Sequence, residues 1–285
     1  MHIVQHPTPP FLITDGAARV YQIPVAHDNL CWVVACVATG RAAVVDGPPG
    51  SAPDVLALCE AEGLSLCAIW NTHVHWDHVG INNDLLKIGL PEGFQIVGAA
   101  KTADKIPGIT HRVGEGDRIT LGEITAEVWL TEGHIEGHLS FIVPGAVFCG
   151  DTMFTGGCGN LFGGPPGPMY RSLLRLASLP GDTAVCCAHD YTDDNLDFAL
   201  FVEPDNAALI ARMEGLQEIR ENGGCAVPST LEEERATNPF LRPGSPTLVA
   251  RVKELGGVVD SFEQVFASTR ALKDAGVHRR ERQLS

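Results

Sequence analysis

Short apolar runs separated by turn residues fill the first part of the chain. Runs at 18–25, 30–38 and 42–46 have the length and β-branched content of strands, and Thr39-Gly40 joins the last two. At 51–63 the apolar positions take helical spacing, with Pro53 near the start and Gly63 at the stop. An apolar strand at 66–70 follows. Further strands are predicted at 95–99, 124–130, 139–143, 146–149 and 183–188, with a helix at 169–179 before the last. Strands alternating with helices, plus several hairpins, predict an α/β layered domain with a mixed sheet.

After about residue 190 the pattern turns helical. Positions 207–221 are amphipathic and end before Asn222-Gly223-Gly224, and 246–255 and 261–274 are further helices. Ser229-Thr230-Leu231-Glu232 reads as a capping box opening a short helix. The expected division is a catalytic domain over 1–190 and a smaller helical domain over 191–285. No internal repeat or low-complexity segment interrupts it.

Composition narrows the function. Of 285 residues 45% are apolar and 19% charged, enough to bury a substantial core. The net charge of −15 argues against a general nucleic-acid or membrane-surface binder, so an anionic substrate needs a local basic patch. No run of about 18 apolar residues predicts a membrane span, and the N-terminus around His2 and His6 lacks the pattern of a signal peptide. Nine cysteines without a C-x-x-C pair read as reduced, buried thiols of a cytoplasmic protein.

The chemistry concentrates in Thr72-His73-Val74-His75-Trp76-Asp77-His78, directly after the strand at 66–70. So dense a cluster has little use in a core, because buried charges need pairing or a metal. Imidazole and carboxylate suit zinc, iron and manganese. Residues two apart in an extended segment point the same way, so His73 and His75 can grip one ion. Asp77 and His78, in the next loop or first helical turn, can reach a second. Three further groups end or follow apolar runs: His138 in Gly133-His134-Ile135-Glu136-Gly137-His138, Asp151 after 146–150, and His189 after 184–188. Strand ends are where an α/β sheet opens its ligand crevice. Asp151 is the best bridging carboxylate. His138 is read as the ligand and His134 as a neighbour or surface residue. His27, His111, His2, His6 and His278 are set aside as surface or satisfied core residues.

These residues resemble the metallo-β-lactamase superfamily, marked by T-H-x-H-x-D-H followed by distant His, Asp and His. Within it the chain is similar to the hydroxyacylglutathione hydrolases, or glyoxalase II enzymes. Gly150-Asp151-Thr152-Met153-Phe154, Gly157-Cys158-Gly159, Ala188-His189-Asp190-Tyr191-Thr192, Val202-Glu203-Pro204, Val227-Pro228-Ser229-Thr230-Leu231 and Asn238-Pro239-Phe240 carry that similarity. The resemblance implies an αββα sandwich with a helical C-terminal domain that helps bind glutathione. It also implies two divalent metal ions, zinc first, with iron or manganese as alternatives. His73, His75 and His138 would hold one, Asp77, His78 and His189 the other, and Asp151 would bridge them. Tyr191, Arg270 and Lys273 would contact glutathione. Asn160 stands where the family usually has a basic residue, Phe162 where some members have Tyr, and Asp190 where Glu is more familiar.

The implied reaction is attack of a water shared by the two ions on a thioester, with Asp77 both ligating and orienting it. The expected substrate is S-D-lactoylglutathione, cleaved by a monomer to D-lactate and glutathione in methylglyoxal detoxification. One rival is a persulfide dioxygenase holding a single iron with His73, His138 and Asp151. The others are hydrolases of the superfamily acting on other thioesters, lactones or phosphodiesters, and a non-catalytic metal-binding or interaction protein, which the full ligand set disfavours.

Overall fold

Residues 4–282 are described by the computed structural model, so His2 lies outside them. The apolar runs of the first part become two sheets laid face to face. The first contains β1 (Phe11–Ile13), β2 (Ala18–Val25), β3 (Asn29–Cys36), β4 (Arg41–Val45), β5 (Ser65–Trp70), β6 (Gln95–Ala99) and β7 (His111–Val113), in that spatial order. Pairing is antiparallel from β1 to β4 and parallel from β4 to β7. The second contains β8 (Arg118–Leu121), β9 (Ile124–Leu130), β10 (Leu139–Val143) and β11 (Ala146–Gly150). After the small hairpin β12 (Met153–Phe154) and β13 (Gly157–Cys158), it is completed by β14 (Ala184–Cys187) and β15 (Ser229–Thr230). β14 pairs parallel with β11; the other pairs of this sheet are antiparallel.

Every residue of β3 is buried, because helices cover one face and the second sheet covers the other. Val33 and Ala35 join Val44, Ile69 and Ile96 against helices α1 (Ala52–Ala61) and α2 (Trp76–Ile88). Trp32 and Val34 point the opposite way and meet Trp70, Phe141 and Phe148 between the sheets. Each such large side chain contributes about 2–3 kcal/mol of apolar burial. Helix α3 (Pro166–Leu176) buries Met169, Leu173 and Leu176 in the same core. The layers are therefore helix, sheet, sheet, helix, as expected.

The helical part comprises α4 (Thr192–Val202), α5 (Ala207–Glu221), α6 (Leu231–Thr237), α7 (Pro246–Glu254), α8 (Phe262–Asp274) and α9 (Val277–Arg282). It joins the core through Phe198, Phe240, Leu248 and Phe266. Three details differ from the sequence pattern. α4 follows β14 almost at once, β1, β7 and β8 add short edge strands, and the capping box sits one residue later. Thr230 caps α6, its hydroxyl accepting from the Glu233 amide while the Glu233 carboxylate accepts from the Thr230 amide. Thr230 has the extended backbone an N-cap needs, so the carboxylate that closes the box is Glu233, and Glu232 lies in the first turn.

Candidate metal centre

The centre forms where β4, β5, β11 and β14 end and the loop after β9 returns. Asp46, directly after β4, is the anchor that the sequence pattern did not single out. Its carboxylate accepts from the Thr72 amide at 2.8 Å and the Thr72 hydroxyl at 2.6 Å, and lies 2.9 Å from Nδ1 of His78. His75, with extended backbone, is the N-cap residue of α2, so Asp77 and His78 fall in the first turn of that helix. Gly150 closes β11 at φ 47°, where a Cβ would lie 2.4 Å from the Thr72 hydroxyl. Only glycine lets the strand pass that close and deliver Asp151.

Outer hydrogen bonds set which imidazole nitrogen faces inward. The single Thr72 hydroxyl proton goes to Asp46, so Nδ1–H of His73, 3.0 Å away, donates to that hydroxyl oxygen. Nδ1–H of His78 donates to Asp46, and Nδ1–H of His134 donates to the Asn160 carbonyl at 2.8 Å. Nδ1 of His189 lies 3.4 Å from the Asp28 carboxylate. With an outer acceptor on Nδ1, His73, His78 and His134 turn Nε2 to the interior, the arrangement that outer partners impose on metal-binding histidines.

Inside, two groups of donors meet. His73 Nε2 lies 2.9 Å from His75 Nδ1, which lies 3.1 Å from His134 Nε2, and Asp151 Oδ2 is 3.5 Å from His134. His78 Nε2 and His189 Nε2 each lie 3.5 Å from Asp77 Oδ2 and 3.5 Å from Asp151 Oδ1. Within each group, His73, His75, His134 and Asp151 or Asp77, His78 and His189, the donor atoms lie within 4.8 Å of one another. Asp151 borders both.

The donor set fits divalent cations. Facing lone pairs repel unless a proton or cation lies between them, and Asp151 Oδ1 is buried without a hydrogen-bond donor. Burial opposes a proton on His78, yet the carboxylates of Asp151, Asp46 and Asp77 carry its pKa up to about 9. Burial pushes His73 well down, aided by the neighbouring imidazoles. The pocket favours positive charge, which the carboxylates draw to His78 and which burial denies to His73 as a proton.

His138 stands apart from both groups. Its Nε2 accepts from the Asp151 amide at 3.1 Å, which leaves the proton on Nδ1, facing the Thr131 and Thr152 hydroxyls at 3.3 and 3.2 Å. Neither nitrogen has a lone pair to spare, so the expectation that His138 rather than His134 joins the cluster is corrected here. Asn29, also missed in the pattern, donates to Asp77 Oδ2 at 3.1 Å. His278, set aside as a satisfied residue, is buried with Nε2 3.1 Å from Asp194.

The residues expected to contact substrate share one cavity of about 730 Å³. Tyr191, Asn160, Arg270 and Lys273 all line it. Tyr191 links it to the metal cluster, its ring stacked on His189 with centroids 4.9 Å apart and planes at 4°. Arg270 donates to the Cys158 carbonyl at 3.0 Å and to Asp274 at 2.6 Å, and Lys273 donates to Asp194. Phe162, 69% exposed, edges His75 and His134 at 5.6 and 5.2 Å between centroids.

Comparison with known proteins supports the fold and gives the family. Residues 26–189 match the profile of the family described as the metallo-beta-lactamase superfamily, and residues 190–276 that of the hydroxyacylglutathione hydrolase C-terminus. The hydroxyacylglutathione hydrolase of Synechococcus sp. is 45% identical over 264 residues, covering 90% of this chain and 99% of its own. That of Methylococcus capsulatus is 44% identical over 258 residues, covering 90% and 98%. Among solved structures, a metallo-beta-lactamase from Staphylococcus aureus superposes with TM-score 0.62 at 20% identity, covering 90% of this chain and 71% of that one. ETHE1 from Myxococcus xanthus gives 0.61 at 21% identity, covering 90% and 99%. At such identity the two structures speak for the fold alone.

Proposed function

This chain belongs to the hydroxyacylglutathione hydrolase family of the metallo-beta-lactamase superfamily, and on that premise we propose that it hydrolyses S-D-lactoylglutathione to D-lactate and glutathione. The observation that carries the proposal is the inward convergence of two sets of His and Asp donors, each held from behind by its own acceptor. His73, His75 and His134 would hold one divalent ion, Asp77, His78 and His189 a second, with Asp151 between. The nitrogen and oxygen donors suit zinc, and would also accept iron or manganese.

Bound there, the ions supply Lewis acidity, which lowers the pKa of a water from ~15.7 towards ~7 and polarises a carbonyl. The residues of the chain do the rest. Asp77, steadied by Asn29, orients the attacking water and takes up its proton. The water oxygen bonds to the thioester carbon, the C–S bond breaks, and the thiolate leaves with the electron pair. Tyr191, stacked on His189, contacts the thiol half beside the reacting bond. Burial raises its pKa above the ordinary tyrosine value, so its hydroxyl stays a donor at neutral pH. Arg270, Lys273 and Asn160 line the cavity that takes the thiol half, Asn160 without adding charge. On this reading 1–190 form the catalytic part and 191–285 the thiol-binding part.

A dioxygenase with one iron would leave Asp77, His78 and His189 without a task, and their convergence supports the hydrolase instead. The nine cysteines are all free thiols, which supports a reducing compartment, and we assign the cytoplasm. No helix among the described residues is long and apolar enough to cross a membrane. A monomer acting on a small thioester is the simplest working form. Zinc-loaded protein is expected to consume S-D-lactoylglutathione, measured as loss of thioester absorbance, and His75→Ala to abolish the reaction and lower the metal content. Full activity in that variant would overturn the scheme.

A further inference from the structure

The cations of the thiol cavity, Arg270, Lys273 and Arg279, do not face it unbalanced. Arg270 donates to Asp274 through Nε at 3.1 Å and through a terminal nitrogen at 2.6 Å. Lys273, only 9% exposed, spends two N–H bonds on Asp194, one on its carbonyl at 2.6 Å and one on its carboxylate. The same carboxylate lies 3.1 Å from His278 Nε2 and accepts from Arg279 Nε at 2.7 Å. Asp194 thus gathers three basic side chains from α8 and α9 onto the first turn of α4, at the wall of the cavity. A substrate carboxylate reaching Lys273 meets an ammonium with two of its three protons already used, next to a fixed negative charge. Asn160, which also lines the cavity, adds no charge.

We propose that Asp194 is a specificity-determining residue that masks Lys273 from the terminal carboxylate of the thiol half. The cavity therefore selects weakly for a free carboxylate. It accepts thioesters of glutathione-sized thiols whose terminal group is uncharged, such as an amide or ester, alongside glutathione itself. The inference rests on the thioester hydrolysis proposed above. A charged hydrogen bond to carboxylate is otherwise among the stronger polar contacts a site can offer.

The test is equilibrium binding of S-methylglutathione and of its glycine-amide analogue to the zinc-loaded protein by calorimetry. The unsubstituted protein is expected to bind the two within about threefold of each other. Asp194→Asn should tighten the acid about tenfold and leave the amide unchanged, and Lys273→Met in the same background should remove the gain. Asp194→Ser serves the same purpose if the asparagine variant folds poorly. A preference of the unsubstituted protein for the acid above about thirtyfold, or weaker acid binding in the variant, would overturn the proposal. Asp194 would then position Lys273 for substrate instead of masking it. Hydrolysis of the lactoyl thioesters of both thiols, run in parallel, separates the two readings. If neither is cleaved while the binding pattern holds, the hydrolytic assignment fails and the role of Asp194 stands.

Discussion

The metal cluster and the thiol cavity are built on opposite electrostatic plans. In the cluster the partners sit outside: Asp46, the Thr72 hydroxyl and the Asn160 carbonyl take the outer protons and leave the inner lone pairs unmatched. Asp151 Oδ1 is buried there without a donor. In the cavity the partners sit inside, and Lys273 and Arg270 are matched by Asp194 and Asp274. The first site is complete only with added positive charge. The second is neutralised by its own chain, so it can tolerate substrates of differing charge. The two regions meet at Tyr191, whose ring stacks on His189.

The largest effect that can break this contrast is at the paired histidines of the loop after β9. His134→Ala is expected to release an ion and to lower hydrolysis by ~10³ or more, because it removes an inward lone pair. His138→Ala should keep both ions and lose only ~10–100-fold, since His138 supports the Asp151 amide from behind. Metal content and turnover measured on both variants decide between them; the reverse order would return the ligand role to His138.

A second effect sharpens the boundary between the two regions. Asp190, between His189 and Tyr191, has a fully buried side chain in a two-bond pair with Arg220 of α5, at 2.8 and 2.9 Å. Arg220→Met should destabilise the fold by about 3–5 kcal/mol in thermal or urea unfolding, by stranding a buried carboxylate. Burial alone would raise the pKa of Asp190, but Arg220 and the Thr192 hydroxyl hold it down to about 2. A depressed carboxyl contributes its stability fully above the unfolded value of about 3.9 and loses it as pH falls through the folded value. Acid unfolding between about pH 4 and pH 2 should therefore include this pair in the unsubstituted protein and lack it in the variant. An unchanged acid limb would show that the pair contributes nothing.

The smallest effect lies outside both sites. Thr230→Ala removes the cap of α6 and should cost about 1 kcal/mol of stability, with kcat and KM unchanged. A shift in KM would mean that α6 communicates with the cavity.

Much of this architecture was legible in the chain. Short continuous apolar runs bounded by turn residues predicted the inner strands, and the dense T-H-x-H-x-D-H segment predicted the centre. The α4 helix was not singled out within the helical part, although Asp193 and Asp194 suit the first turn of a helix. Asp46 carried the same signal as Asp151 and His189, a polar residue ending an apolar run. Alone it has the look of a turn former, and its partners Thr72 and His78 are 26 and 32 residues away. The choice between His134 and His138 could not be made from spacing. It depends on which ring the Asp151 amide reaches, a contact between different strands. That the cavity cations are matched was invisible for a similar reason, because Asp194 and Lys273 are 79 residues apart.

The most direct test is to count the ions on zinc-reconstituted protein by native mass spectrometry and to assay S-D-lactoylglutathione hydrolysis on the same sample. Two ions per chain with thioester cleavage is the expected result. A single bound ion, with oxygen uptake on glutathione persulfide and no hydrolysis, would contradict it.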